Sequence, residues 1–296
     1  MQNLSNCPIC NGASIENYTE IKDYAISGEI FSLSICKDCT FVFTNPRPDN
    51  QEIIRYYQSD NYISHHSNEK GMVTSVYRKI RNIMLKRKVN LINSLATSKI
   101  KTLLDIGCGT GEFLNKATKE GWITLGLEPD TDALNSAIEN YGLDVKSPQE
   151  LFTIKPSTFD IISMWHVLEH VHLLNEYLSS IYQILKPAGS FIVAVPNYIS
   201  EDSKVYGKYW AGWDVPRHLY HFNRTTLEKL GNKHGFKLSH ILPMPFDAYY
   251  VSLKSEEYKG NKLSAYMLGA INGVRSNTKA ASTGEYSSLI YVFSKD

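Results

Sequence analysis

Leu103-Leu104-Asp105-Ile106-Gly107-Cys108-Gly109-Thr110-Gly111-Glu112-Phe113 is the stretch whose reading decides the fold of this chain. Its first residues suit a short buried strand, its three alternating glycines a tight turn, and Glu112-Phe113 the start of a helix. Strand, glycine turn and helix in that order open the ligand crevice of a parallel α/β sheet. The acids narrow the ligand. A pyrophosphate is held by bare backbone N–H groups at a helix N-terminus, and a carboxylate beside it would repel it. Here Asp105 ends the strand and Glu112 takes the place of the third glycine of G-x-G-x-x-G. The run therefore speaks against a dinucleotide.

Downstream, strand and helix patterns alternate, which implies parallel strands joined by right-handed crossovers. The expected strands are Thr102–Asp105, Ile123–Leu127, a weak Leu143–Val145, Phe159–Met164 and Ser190–Val195. Between them, one helix ends near Gly121. A second starts at the N-cap Asp130, buries Ala133, Leu134, Ala137, Ile138 and Tyr141, and stops at Gly142. A third runs through Leu174–Leu185 to the break at Lys186-Pro187-Ala188-Gly189. Thr225-Thr226-Leu227-Glu228 reads as a capping box. Two last strands, about Leu238–Leu253 and Ser288–Ser294, with a helical link, would make an antiparallel edge. The expectation for residues 99–296 is an α/β, Rossmann-like, doubly wound sheet of seven strands, mostly parallel. The connection 197–222 shows no helix or strand period. Structureless loops of that length are uncommon in compact domains, so it reads as a lid on the site or as a plug of its own aromatic residues.

The N-terminal part is of another kind. Cys7-Pro8-Ile9-Cys10 and Cys36-Lys37-Asp38-Cys39 are two C-x-x-C knuckles able to aim four thiolates at one tetrahedral zinc, with no position left open for catalysis. A redox dithiol is the alternative, although such motifs usually stand alone beside a βαβ unit. With β-type segments at Ile30–Ile35 and Phe41–Thr44, residues 1–48 form a zinc-ribbon-like unit too small to hold without metal. Residues 49–98 read as a helical cap: Ile53, Ile54 and Tyr57 share one face, and Val76, Ile80, Ile83, Met84, Leu91 and Leu95 recur near helical spacing. The basic residues Arg78, Lys79, Arg81, Lys86, Arg87 and Lys88 lie mostly off that stripe, either as a solvated face or as a rim attracting an anionic substrate.

Net charge is +1 over 296 residues, with no strong basic excess of the kind a dedicated nucleic-acid binder shows. No stretch is apolar enough to span a bilayer, and the first residues carry neither a charged n-region nor an apolar h-region. The expectation is a cytoplasmic protein with no membrane partner.

Chemistry is expected at the carboxyl ends of the strands. Glu128, in Gly126-Leu127-Glu128-Pro129 and 23 positions past Asp105, is placed to accept hydrogen bonds from both hydroxyls of a ribose. Gln149 and Glu150 follow the weak third strand and flank an adenine or are ordinary surface residues. The fourth strand runs into Trp165-His166-Val167-Leu168-Glu169-His170-Val171, which brings Trp165 and His166 to the crevice. His166 is a candidate general base or a packing ring, while Glu169 and His170 cap and brace the next helix. The loop Trp210-Ala211-Gly212-Trp213-Asp214-Val215-Pro216-Arg217-His218-Leu219-Tyr220-His221-Phe222 supplies Arg217, His218 and His221 as further substrate or catalytic candidates.

These motifs together resemble class I S-adenosylmethionine-dependent methyltransferases of the Methyltransf_23 type that carry an N-terminal zinc ribbon. The resemblance rests on the two knuckles with Asn45-Pro46-Arg47-Pro48, the glycine turn, Trp165–Val171 and Pro216–Phe222, and it covers nearly the whole chain. Ala188 departs from it, where a second glycine commonly follows Lys-Pro. The resemblance implies S-adenosylmethionine as cofactor, with Asp105, Gly107, Cys108, Gly109, Gly111, Glu128, Pro129, Gln149, Trp165 and His166 around it and His166, His218 and His221 as catalytic candidates. It implies a structural zinc on Cys7, Cys10, Cys36 and Cys39, and methylation of a small metabolite, nucleotide-linked sugars being among the acceptors of such enzymes. A ribosomal RNA base methyltransferase is the alternative, to be recognised by a contiguous basic surface from ribbon to cap. A non-catalytic cofactor-binding protein is the second alternative.

Overall fold

The computed structural model describes residues 1–57 and 72–295, with side chains described from Arg78 onward in the helix that opens at Met72. The parts of the expected cap at 58–71, and the side chain of Val76 in its stripe, lie outside the described residues.

Two sheets carry the molecule. The first holds β1 (Ile15–Lys22), β2 (Ile30–Cys36) and β3 (Val42–Thr44), followed by helix α1 (Met72–Leu95). The second begins with β4 (Thr102–Ile106), α2 (Glu112–Lys119), β5 (Ile123–Leu127), α3 (Thr131–Tyr141), β6 (Val145–Lys146), β7 (Phe159–Trp165), α4 (Leu174–Ile184) and β8 (Leu185–Pro196). After α5 (Glu201–Tyr206) comes β9 (Tyr220–His221), then α6 (Arg224–Lys233), β10 (Lys237–Pro243), α7 (Asp247–Tyr258), α8 (Ala265–Thr283) and β11 (Ser288–Ser294). The large sheet has seven strands in the order β10-β11-β8-β7-β4-β5-β6, with parallel pairing from β8 to β6 and β11 antiparallel to both its neighbours. This is the seven-stranded, Rossmann-like arrangement with an antiparallel edge that the alternation predicts. The chain leaves β4 toward β5 and returns to the other side of β4 as β7, so the crevice opens at the carboxyl ends of β4 and β7.

The central strands are apolar on both sides because helices cover both faces. Leu104, Ile106, Ile162, Met164 and Val193 face α4 and α6, while Leu103, Ile161, Ile192 and Ala194 share the other core with Val89 and Ile92 of α1 and Leu114 of α2. The start and stop signals of α3 are as expected: Asp130 accepts from the Ala133 amide at 2.8 Å, and Gly142 takes a left-handed C-cap.

The structure departs from the sequence reading at three places. The strand at Leu238–Leu253 ends at Pro243, and the rest of it is α7; Pro243 and Pro245 interrupt the ladder, after which Asp247 starts a helix. β1 was not anticipated because its polar face is exposed and its buried alternation is weak. The connection 197–222 holds α5, two single 3-10 turns and β9. These pieces are too short to show a period and are fixed by distant partners: Asp202 takes hydrogen bonds from the Trp210 indole, Ser276 and Ser287, each at 2.7 Å.

The small sheet is completed from the other end of the chain. β9 pairs antiparallel with β3, Val42 opposite His221 and Phe43 opposite Tyr220, giving the order β1-β2-β3-β9. The N-terminal unit and the connection after β8 therefore form one sheet.

Ala188 has φ +59°, a left-handed conformation that costs an L-residue free energy. Ala188→Gly is expected to stabilise the protein by about 0.5–1 kcal/mol, read from the midpoint of urea unfolding at unchanged slope.

Candidate active site

The glycine turn is held from three sides. The amides of Gly107 and Cys108 donate to the Leu127 carbonyl at 2.7 and 3.2 Å, and the Gly109 amide donates to Glu128 Oε2 at 2.7 Å. Gly107, Gly109 and Gly111 all have positive φ. A Cβ on Gly107 would meet Val167 at 2.3 Å, and one on Gly111 would meet Leu143 at 2.6 Å, so these two glycines are required by packing. A Cβ on Gly109 would meet nothing within 4 Å. Gly109 is where the turn offers bare backbone to a ligand. Cys108 tucks its sulfur against Gly126, and burial with the charges of Asp105 and Glu128 pushes its thiol up, so it is no thiolate nucleophile.

Two carboxylates flank the turn. Asp105 is buried, accepts from Ser163 Oγ at 2.6 Å, and is raised by burial to about 7, against the pull of Ser163 and Lys88. Glu128 accepts from Gly109 N and, through Oε1, from Asp130 N at 3.0 Å; burial raises it in spite of both bonds. Pro129 and Gln149 are exposed beside this end of β5 and β6. Gln149 has no side-chain hydrogen bond among the described residues.

Trp165 ends β7 and walls the crevice, its ring edge-on to Phe113 with centroids 5.8 Å apart. Lys88 of α1 lies over it, Nζ 4.2 Å from the ring centroid. Burial pushes this ammonium down to about 8 against the pull of Asp105 and Asp247. Among the described residues Lys88 has no hydrogen-bond or ion-pair partner, and the buried Trp165 Nε1 has no acceptor. The basic cluster on α1 is thus not purely solvated: Arg78, Lys79 and Lys86 are exposed, while three of its members make contacts within the protein. Arg81 pairs with Glu112 at 2.7 Å, Arg87 lies over Phe246 at 5.3 Å, and Lys88 turns into the crevice.

The histidines divide into two groups. His166, with φ +59°, directs Nε2 to Asp247 at 2.9 Å and Nδ1 toward Glu169 at 3.5 Å. Burial would lower its pKa, but the two carboxylates raise it to about 10, so it is an imidazolium and not a free base at neutral pH. His218 donates from Nδ1 to the Gly212 carbonyl at 2.9 Å, which leaves Nε2 3.9 Å from both Glu169 and Asp214. His170 stacks edge-on to His218 with ring centroids 4.7 Å apart, and burial and His218 lower it to about 4. Glu169 is 1% exposed, and neither of its oxygens has a hydrogen-bond partner. Burial would raise this carboxyl, but the His166 imidazolium holds it below its ordinary value. Far from merely capping a helix, Glu169 is the buried carboxylate beside which His166 and His218 lie, at 3.5 and 3.9 Å.

His221 belongs elsewhere. Its Nε2 is 3.2 Å from Thr44 Oγ1 and its ring packs 5.1 Å from Trp213, both in the ribbon and the loop. Burial lowers it well below its usual range, so it is a neutral core imidazole. Arg217 is likewise occupied by Asp23, Asp214 and the Tyr56 carbonyl. Asp247 and Ser163 were not singled out from sequence. Asp247 fell inside an expected strand, and no local pattern marks a partner 81 positions from His166.

The four N-terminal cysteines have their sulfurs within 4.8 Å of one another, with Cys7 and Cys39, and Cys10 and Cys36, each 3.5 Å apart. Asn11 and Thr40, each just after a knuckle, have matching φ of 61° and 65° and close the same turn onto Cys7 and Cys36. No disulfide links them.

Residues 77–241, more than half of the chain, match the Methyltransf_23 methyltransferase-domain family. The chain belongs to this family of methyltransferases. The ubiquinone biosynthesis O-methyltransferase of Rattus norvegicus is 28% identical over 128 residues, covering 40% of this chain and 37% of the relative. The enzyme of the same name from Nitrosococcus oceani is 26% identical over 174 residues, covering 54% and 73%. The first three curated relatives are matched over only 37%, 50% and 34% of their own lengths. In fold, this methyltransferase is similar to phosphoethanolamine N-methyltransferase 2 of Haemonchus contortus, with a TM-score of 0.52, 17% identity and coverage of 95% and 68%. It is also similar to a SAM-dependent methyltransferase of Archaeoglobus fulgidus, with a TM-score of 0.50, 20% identity and coverage of 74% and 94%.

The His166 clasp should show in the pH dependence of stability. A base raised from 6.5 to about 10 on folding stabilises fully below 6.5, and that contribution disappears as pH climbs through about 10. The stability gap between the wild type and His166→Gln, from urea unfolding, is expected to be widest near pH 6 and to close by pH 10. A gap independent of pH would remove the imidazolium from the account.

Proposed function

We propose that this chain transfers a methyl group from S-adenosylmethionine to a small molecule whose acceptor atom must lose a proton, a hydroxyl or a carbon acid. The observation that carries this reading is the pairing of an open glycine turn at Gly109 with two buried acids, Asp105 and Glu128, in place of a phosphate cradle. When bound, the cofactor supplies an electrophilic methyl on a sulfonium, and its leaving group is neutral. Glu128, with lone pairs left after its bonds to Gly109 and Asp130, suits the ribose hydroxyls. Asp105 suits the cationic end, and Lys88 with Trp165 Nε1 suits the carboxylate of the methionine part. Pro129, Gln149 and Cys108 would complete the walls.

His218 is the base in this reading. Its Nδ1–H is fixed on the Gly212 carbonyl, which leaves the Nε2 lone pair to take the acceptor proton, with Glu169 beside it to stabilise the imidazolium that forms. His166 is a positioning residue that holds Asp247 and Glu169. His221 has no part in proton transfer. Alignment of the acceptor and exclusion of water by Trp165 and the loop after β8 would supply most of the rate. The relatives named for ubiquinone biosynthesis support a small acceptor, and a net charge of +1 supplies no basic excess for a nucleic-acid track.

Calorimetric titration with S-adenosylhomocysteine tests the cofactor assignment: Glu128→Ala and Lys88→Met are each expected to weaken binding about tenfold or more. His218→Asn should keep that affinity while turnover on a hydroxylated acceptor falls about a hundredfold or more. Absence of cofactor binding in the folded wild type would sink the reading.

We further infer that Cys7, Cys10, Cys36 and Cys39 hold one zinc ion in a closed, structural site. Four thiols in two matching knuckles are the donor set zinc prefers. Elemental analysis of the purified chain is expected to give one zinc per molecule, lost in Cys36→Ser. Because β2 and β3 carry the second knuckle into β9, loss of the metal should also expose the loop after β8 to limited proteolysis.

A further inference from the structure

Helix α8 is packed inside out. The residues it buries are small: Ala265, Gly269, Gly273, Ser276 and Ala280. They let it lie backbone to backbone against α7, where a Cβ on Gly269 would come within 2.8 Å of the Leu253 Cα and one on Gly273 within 2.6 Å of the Tyr249 ring. Its large apolar side chains point away from the protein. Tyr266, Met267, Ile271 and Val274 are 64%, 62%, 57% and 53% exposed, and Leu263, in the turn before the helix, is wholly exposed. At about 100° per residue these helical positions fall on one face. Single exposed apolar residues are ordinary, but a contiguous stripe marks a docking surface.

Charge identifies the occupant. α8 carries Arg275 and Lys279 and no Asp or Glu, and the turn before it adds Lys259 and Lys262. Arg275 reaches Glu201 at 3.2 Å and Lys259 lies over the Tyr206 ring at 5.6 Å. Among the described residues the ammonium groups of Lys262 and Lys279 have no partner; Lys262 adjoins Leu263 at the start of the stripe, and Lys279 lies past Val274 on the polar flank of the helix. A second copy docked face to face would set these cations against their own copies with no acid on α8 to receive them. A surface that is apolar at its centre and anionic at its edges fits both features.

We propose that α8 and the turn before it form a membrane-docking surface, with the stripe from Leu263 to Val274 lying at headgroup depth in an anionic phospholipid bilayer and Lys262 and Lys279 on its phosphates. No described helix is long and apolar enough to cross a membrane, and none is needed: an amphipathic helix with a basic rim lies in the interface plane. This face departs from the expectation of no membrane partner. The site is adjacent through α7, whose first residue Asp247 is bonded to His166. The docking surface stands without the methyl-transfer reading.

Co-sedimentation of the full chain with vesicles of phosphatidylcholine alone, and of phosphatidylcholine containing phosphatidylglycerol, tests this. The protein is expected to pellet with the anionic vesicles at low salt and to be released by salt. Met267→Asp with Ile271→Asp, and separately Lys262→Glu with Lys279→Glu, should each lower partitioning about tenfold or more at unchanged melting temperature and unchanged S-adenosylhomocysteine affinity. The proposal is overturned if the wild type stays in the supernatant with both vesicles, or if the variants pellet as the wild type does. It is equally overturned if light scattering finds a wild-type dimer that Met267→Asp with Ile271→Asp makes monomeric, since the face would then belong to a second copy.

Discussion

A buried guanidinium joins the two halves of this protein. Arg217 is 1% exposed, donates to Asp23 in the turn after β1 and to Asp214 in its own loop, and reaches the Tyr56 carbonyl near the start of the cap. Taking such a group out of water is costly unless every donor is met, and here the partners come from three separate segments. Withdrawal of any one would leave a buried charge exposed to the apolar interior. The clamp therefore makes ribbon, cap and loop one cooperative unit, and β9 pairs with β3 in the register the clamp allows.

The site inherits its geometry from that unit. The Leu219 amide donates to the Glu169 carbonyl at 2.8 Å, and His170 Nδ1 contacts both the Arg217 carbonyl and the Tyr57 hydroxyl at 3.0 Å. The segment that fills out the ribbon sheet thus also places His218 against Glu169. Opposite charges then sort the protonation states. Two carboxylates keep His166 charged, while burial keeps His170 and His221 neutral. Chemically similar side chains a few positions apart end in different states because their neighbours differ.

The sheet and the glycine turn with its two flanking acids were legible from residues close in sequence. Period, caps and breakers between Thr102 and Val195 report which face of each strand and helix is buried, and that is a local property of the side chains. The acceptor end was only half legible. Trp165-His166 and Arg217-His218 could be named as chemically able, but the hydrogen-bonding state of each ring depends on Gly212, Asp214 and Asp247, brought together by packing. Asp247 was hidden in an expected strand, and the outward face of α8 was hidden because small residues there carry no period that distinguishes a buried stripe from a solvated one.

By itself the sequence determined the parallel sheet, the glycine turn with its two acids, and the clustering of four thiols, since each follows from residue type and spacing within one or two elements. The tertiary structure alone decided that the small sheet's last strand comes from the loop after β8, that His166 is clasped and His218 directs Nε2 between Glu169 and Asp214, and that α8 turns its apolar side outward. The physical reason is the same in each case. Pairing of buried charges and closure of a sheet are contacts between residues tens to nearly two hundred positions apart, and their free energy exists only once the chain has brought them together.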